Sequence, residues 1–238
     1  MKIAIIGYGK MGHEIERIAQ ERGHEIVARI DINNQEDFAS PTFKSADVAI
    51  EFTTPKTAFE NYLRCFEADI KVVSGTTGWL ERMPEIQKFC KEKGKTFFYA
   101  SNFSLGVNIF FAVNRYLAHI MNDFNGYNAK MKEVHHIHKL DAPSGTAITL
   151  AEDVVKNMDR LSKWELGTEV KEGVLPIEAV REGEVAGFHS VQYLSDADEI
   201  TISHNAFNRS GFALGAVLAT EFTFKNQGFL SMKEMFPF

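Results

Sequence analysis

Apolar residues follow two different patterns along the chain. Over the first hundred residues, short apolar runs alternate with stretches where apolar side chains recur every three or four positions. Lys2–Ile6 is one such run, closed by glycines, and His13–Glu21 follows as a helix with Ile15, Ile18 and Ala19 on one side. Glu25–Ile30 and Asp47–Phe52 read as the second and third strands. A helix from about Lys56, a strand at Lys71–Ser74, a helix near Glu85–Lys93 and a strand at Thr96–Ala100 continue the alternation. Short buried strands separated by helices predict an α/β fold, a doubly wound parallel sheet. The pattern then changes. Asn108–Met121 predicts a long helix, Asn128–His136 a strand and Ser144–Met158 a helix, but Leu175–Arg181, Val185–Leu194 and Glu199–Asn205 are strands in succession. Strands without intervening helices predict a second α+β domain with an open mixed sheet. The tail Ser210–Lys225 is helical again and is expected to pack back onto the first domain. The expected division is therefore 1–103, joined by 209–238, and 104–208.

Composition narrows the functional classes. A length of 238 residues suits one large domain or two small ones, and 45% hydrophobic with 24% charged residues is ordinary for a globular protein. A net charge of −6 argues against nucleic-acid binding, which needs a clustered positive field. No apolar run reaches the roughly 18 residues of a membrane helix. The chain passes from Met1 and Lys2 straight into a strand without an apolar leader, so a cytoplasmic location is expected. Cys65 and Cys90 lie in helix-like stretches and offer no disulfide framework.

Chemistry enters at the first strand end. Gly7-Tyr8-Gly9-Lys10-Met11-Gly12 is a complete G-x-G-x-x-G between a predicted strand and a predicted helix, with Asp31 at the end of the second strand, 19 residues after Gly12. Gly7 allows the tight turn, Gly9 lets the backbone approach a pyrophosphate, and Gly12 lets helix and strand pack closely. The helix start presents N–H groups to the phosphates, and Asp31 can accept from the adenosine ribose hydroxyls. This is the signature of a Rossmann-like dinucleotide-binding domain, and it implies NADH or NADPH. Glu51-Phe-Thr-Thr-Pro55, Gly75-Thr76-Thr77-Gly78 and Ala100-Ser101-Asn102-Phe103 end the next three strands, where ligands of open α/β sheets bind.

The richest segment is Glu133-Val-His-His-Ile-His-Lys-Leu-Asp-Ala-Pro-Ser-Gly-Thr146. Run as a strand, it puts His135 and Lys139 on one face and His136 and His138 on the other. A strand leading into a helix that starts at Ser144-Gly145-Thr146 predicts an anion pocket of helix N–H groups, the Thr146 hydroxyl and the Lys139 ammonium. Such convergent donors suit a carboxylate, and the flanking histidines suit a second one. The rival is zinc on His136 and His138. A catalytic zinc wants a third protein ligand, and Glu133 falls on the opposite strand face, so no metal is expected.

The segment E-x-H-H-x-H-K-x-D-A-P-S-G-T resembles the signature of the 4-hydroxy-tetrahydrodipicolinate reductase (dihydrodipicolinate reductase) family. G-x-G-x-M-G, Phe52-Thr53, Gly75-Thr-Thr-Gly78, Asn102-Phe-Ser-x-Gly-Val-Asn108, Gly187-Phe-His-Ser190 and Ile202-Ser-His-Asn205 with Arg209 are similar to that family too. The resemblance implies hydride transfer from a nicotinamide to a cyclic imine dicarboxylate, in lysine and diaminopimelate biosynthesis, by a homotetramer. It implies His135 as the acid/base residue and Lys139 as a proton donor that also attracts a substrate carboxylate. His136, Ser144, Gly145 and Thr146 would contact the substrate. Gly7 to Gly12, Gly75 to Thr77 and Ala100 to Phe103 would hold the cofactor, with Asp31 on its ribose.

Two features depart from the family. The segment from Ile32 to Ala46 is only fifteen residues long. Ile32 stands where members that use the phosphorylated cofactor well often carry arginine, so NADH is favoured. Arg29 and Lys44 are the cations placed to meet a phosphate.

Two other functions fit the outline. One is a semialdehyde or amino-acid dehydrogenase on the same two-domain plan, of which an acylating aldehyde dehydrogenase would need a cysteine nucleophile near the nicotinamide. A non-catalytic dinucleotide-sensing protein would not need His135 and Lys139 beside an anion-binding turn.

Overall fold

The computed structural model describes residues 1–236. The chain divides into two compact units, one formed by Met1–Leu105 together with the chain from Arg209 onward, the other by Gly106–Asn208.

The first unit alternates β1 (Lys2–Ile6), α1 (Lys10–Glu21), β2 (Glu25–Ile30), α2 (Pro41–Lys44), β3 (Val48–Glu51), α3 (Pro55–Glu67), β4 (Lys71–Ser74), α4 (Met83–Lys93) and β5 (Phe97–Tyr99). Its sheet has six parallel strands in the order β11-β5-β4-β3-β1-β2, where β11 (Phe229–Ser231) comes from the tail. Side chains alternate across this sheet. Ala4, Ala49 and Val72 join Phe59, Tyr62 and Ile86 of α3 and α4 on one face. Ile3, Ile5, Ile50 and Val73 join Ile15 and Ile18 of α1 on the other. The tail helix, predicted as Ser210–Lys225, has those bounds and adds Ala213, Ala216 and Val217 to that second core. Each large apolar side chain so buried contributes about 1.5–3 kcal/mol. The chain leaves β1 for β2 on one side and returns to β3 on the other, so the direction of winding reverses between β1 and β3. Ligands of open α/β sheets bind at such a reversal.

The second unit contains most of α5 (Leu105–Met121), then β6 (Asn128–His135), α6 (Gly145–Asn157), β7 (Lys163–Leu166), β8 (Val174–Arg181), β9 (Gly187–Leu194) and β10 (Glu199–Ala206). Its sheet runs β10-β9-β6-β8-β7, antiparallel through β10, β9 and β6 and parallel from β6 through β8 to β7. One face carries Ala129, Met131, Leu175, Ile177, Val191 and Tyr193 against Phe110 and Met121 of α5 and Leu150 and Val154 of α6.

Most predicted elements occur within a few residues of their expected ends. Helix α1 starts three residues earlier than the apolar pattern indicates, because its first turn is the glycine loop. Strands β7 and β11 were not anticipated. Both are sheet-edge strands of three or four residues, too short to show a period. The short segment after Asp31 folds as a 3-10 turn at Gln35–Ala39 and the single-turn α2.

Candidate active site

In the first unit, the loops at the β1–β3 reversal enclose a groove of about 390 Å3 lined by Gly7, Gly9, Lys10, Met11 and Gly12, by Phe52 and Thr53, and by Gly75, Thr76 and Thr77. Gly7 has a φ of +92°, and a Cβ there would stand 2.0 Å from the Phe52 carbonyl oxygen. A Cβ on Gly12 would stand 2.5 Å from the Gly7 carbonyl oxygen, whereas one on Gly9 would meet nothing within 4 Å. The three glycines differ: two are required by the chain's own packing, and Gly9 leaves open space at the start of α1. Gly9 is also the N-cap of α1, and no side-chain cap takes up the first-turn N–H groups. A pyrophosphate fits this cradle.

Other residues expected to hold the cofactor lie at the ends of β1, β2 and β5. Asp31 is exposed at the end of β2, and its Oδ1 accepts the Ile32 N–H at 2.8 Å. The Tyr8 hydroxyl bonds Glu16, and the Tyr8 ring lies 4.1 Å from that of His13. Ala100 and Phe103 are buried after β5, and the Phe103 ring packs 5.5 Å from Phe52. Asn102 Oδ1 accepts the Ser104 N–H at 2.9 Å, and Ser101 is exposed. None of Asp31, Ala100, Ser101, Asn102 or Phe103 lines the groove itself. Arg29 is ion-paired to Glu16 beside the Tyr8 ring, and Lys44 ends α2.

In the second unit, a buried carboxylate organises the histidine segment. Glu133, wholly inaccessible on β6, accepts the Ser144 N–H at 3.1 Å on both oxygens and an Arg181 N–H at 3.0 Å. His135 Nδ1 lies 3.3 Å and His189 Nε2 3.7 Å from the same carboxylate. Burial alone would raise the Glu133 carboxyl. The surrounding imidazoles, the Ser144 N–H and Arg181 outweigh burial and hold it well below the usual carboxylate range. His189 also meets the Ser144 hydroxyl at 3.0 Å, and burial pushes its imidazole down, toward the neutral form. Ser144 is the N-cap of α6, its hydroxyl accepting from the Ala147 N–H at 3.2 Å. One carboxylate therefore fixes both His135 and the helix start at Gly145-Thr146. The His135 ring packs edge-on to His189 at 5.0 Å, and a Cβ on Gly187 would stand 3.2 Å from its Nε2.

The geometry corrects the strand argument for Lys139. Strand β6 stops at His135, where its pairing with β8 ends at Arg181, and residues 136–139 form a turn closed by the Lys139 N–H on the His136 carbonyl at 3.1 Å. Lys139 is brought in by this turn rather than by strand parity, and its ammonium lies 2.8 Å from Asp141. The zinc rival changes too. His138 is exposed and 3.3 Å from Glu184, and its ring is 6.0 Å from His136. It is Glu133, His135 and His189 that offer ligand atoms within 4.8 Å of one another. Arg181 and the Ser144 N–H already occupy both Glu133 oxygens, an arrangement that suits a hydrogen-bonded anion better than a cation.

Family models for "Dihydrodipicolinate reductase, N-terminus" and "Dihydrodipicolinate reductase, C-terminus" match residues 1–103 and 106–236. The chain belongs to the dihydrodipicolinate reductase family. It is 46% identical to the 4-hydroxy-tetrahydrodipicolinate reductase of Christiangramia forsetii, over 99% of this chain and 97% of that protein. It is 33% identical to that of Archaeoglobus fulgidus, over 98% of this chain and 99% of that protein. The solved structure of a dipicolinate-bound dihydrodipicolinate reductase from Paenisporosarcina has the same fold, with a TM-score of 0.76 over 99% of this chain and 98% of that one at 21% identity.

Within this dihydrodipicolinate reductase, sequence reasoning missed the parts played by His189 and Arg181 and treated Glu133 only as a candidate metal ligand. A signal was present. Glu133 sits at a core-facing position of a strand whose burial alternates strictly, and a charge there needs partners.

Proposed function

We propose that this chain reduces the cyclic imine derived from 4-hydroxy-tetrahydrodipicolinate, with NADH or NADPH as hydride donor, in lysine and diaminopimelate biosynthesis in the cytoplasm. The observation that carries the site assignment is the Glu133 hub, which ties His135 to the α6 start. Gly7 to Gly12 would take the pyrophosphate, Asp31 the adenosine ribose, and Thr53 and Gly75 to Thr77 the nicotinamide half. Ala100 to Phe103 would close that end. Bound there, the cofactor would supply the hydride. His135 and Lys139 supply protons to the electron density that builds on the reduced imine. Gly145, Thr146 and His136 hold the substrate carboxylates, with Lys139 attracting one of them. Ser144 shapes that pocket as the cap.

The thiols give no support to an acylating dehydrogenase. Cys65 and Cys90 are both buried, and burial raises each thiol, that of Cys90 to about 11, away from the thiolate a nucleophile needs.

NADH is expected to serve at least as well as NADPH. The Asp31 carboxylate repels a 2′-phosphate, and Ile32 brings no compensating charge. Arg29, the nearby cation on β2, is already committed to Glu16. The ratio of kcat/KM for the two cofactors at fixed ionic strength checks this. A preference for NADPH above about tenfold, about 1.4 kcal/mol, would contradict it.

A homotetramer built through the second unit is the proposed assembly. Helices α5 and α6 cover one sheet face. The other face presents half-buried Val134, Val180 and Phe188, which a partner sheet would cover. Light scattering at micromolar concentration should give the mass of four chains, and a monomer would contradict it. No helix of the described residues is long and apolar enough to cross a membrane.

A further inference from the structure

Glu51 ends β3 and is fully buried, yet among the described residues its hydrogen bonds come from hydroxyls and an amide and from no cation. Oε1 accepts from the Thr53 N–H at 3.1 Å, from the Thr53 hydroxyl and from the Thr76 hydroxyl at 3.0 Å. Oε2 accepts from Ser74 Oγ at 2.8 Å, and Tyr62 in turn donates to Ser74 at 2.7 Å. Donors that all point at one pair of oxygens are the environment of a carboxylate anion. The titratable groups that face it are Tyr62 and Cys65 from α3, with Tyr99 of β5 beyond, and burial holds all three in their neutral forms. Lys10 lies on the exposed rim of the groove. Burial pushes the Glu51 carboxyl above its ordinary value, while the hydroxyl donors oppose the rise.

A buried anion without a counter-ion is costly to keep, so its position is informative. Two of its donors, Thr53 and Thr76, line the groove assigned to the nucleotide. Strand order decides which half of a nucleotide they would meet. β2, with Asp31 at its end, lies on one side of β1, and β3 and β4 lie on the other. With the adenosine ribose at Asp31, the nicotinamide half runs over the ends of β3 and β4. A nicotinamide held there would be neutral before giving up a hydride, two electrons and a proton, to the conjugated system of the substrate, and would carry a positive charge afterwards.

We propose that Glu51 is a positioning residue of the hydride-donor half-site: it pins Thr53 and Thr76 against the nucleotide, and its negative charge favours the cationic, oxidised ring over the neutral, reduced one. The inference rests on the nucleotide reading of the groove given above.

The discriminating quantity is the ratio of dissociation constants for NAD+ and NADH, measured by equilibrium binding to the full chain without substrate. A merely structural role would weaken both nucleotides alike and leave the ratio unchanged. Glu51→Gln should raise the Kd of NAD+ relative to NADH about threefold or more, as expected for loss of a unit charge within a protein interior. Glu51→Asp should stay near the wild-type ratio. If Glu51→Gln does not fold, Ser74→Ala serves instead. It removes a donor to the carboxylate and so favours protonation, so the ratio should rise as pH is lowered and return toward wild type as pH is raised. A ratio unchanged in Glu51→Gln, or in Ser74→Ala across the pH range, would overturn the proposal. Failure of the wild type to bind either nucleotide would instead overturn the nucleotide reading and this inference with it.

Discussion

Replacing His135 with glutamine, or Lys139 with alanine, is expected to lower turnover about 100-fold or more, the range for positioned proton donors. His135 is nearly inaccessible, one face held by Glu133 at 3.3 Å and His189 edge-on at 5.0 Å, so its orientation is set before substrate arrives. Glutamine cannot exchange a proton with the reduced imine. Lys139 stands on a turn, and its ammonium is paired with Asp141 close to the surface. Its loss should raise KM for the dicarboxylate as well as lower kcat, as follows from its proposed double role of attracting a carboxylate and supplying a proton. Nucleotide affinity should be unchanged in both variants, since the glycine groove is built from the other unit. Steady-state kinetics with separate nucleotide binding checks this. Near-normal turnover in both variants would remove these residues from the chemistry.

Glu133→Gln is expected to destabilise the second unit by about 3 kcal/mol or more, the usual cost of leaving a buried charge without its partner. The carboxylate is inaccessible, accepts from Arg181 and the Ser144 N–H, and lies 3.3 Å from His135 Nδ1 and 3.7 Å from His189 Nε2, and no neutral side chain of that shape gives Arg181 its counter-charge. The pH dependence has a definite sign. The folded-state carboxyl is depressed, so its stabilisation is complete above the unfolded value of about 4.3 and is lost as pH falls through the lower folded value. The stability gap between wild type and Glu133→Gln should therefore be full at neutral pH and narrow progressively below about pH 4. Urea midpoints measured across that range check it, and a gap that is constant with pH would contradict it.

Much of the architecture was legible because its physics is local. The strict alternation of burial on β6 and the apolar runs of β1, β3 and β4 reflect side-chain periods that any sequence shows directly. The glycine loop was legible for a similar reason: the steric demands on Gly7 and Gly12 arise within one turn and its neighbouring strand end. What stayed hidden depends on contacts between distant residues. Arg181 and His189 reach Glu133 from β8 and β9, about fifty residues along the chain, and sequence spacing carries no trace of that meeting. Lys139 was misplaced because strand parity was extended past the point where β6 loses its partner. Glu51 was passed over because a lone acid at a strand end looks like ordinary loop chemistry until its burial is known.

The central claim is that this chain is a reductase whose hydride donor is a nicotinamide and whose acceptor is the imine dicarboxylate. The most direct test makes that substrate in place, from pyruvate and aspartate semialdehyde with a separate synthase, and follows NADH absorbance after the full chain is added. The account predicts NADH oxidation that requires both precursors and the synthase and that falls about 100-fold with His135→Gln. No oxidation of NADH or NADPH above background, with the substrate shown to be present, would contradict it.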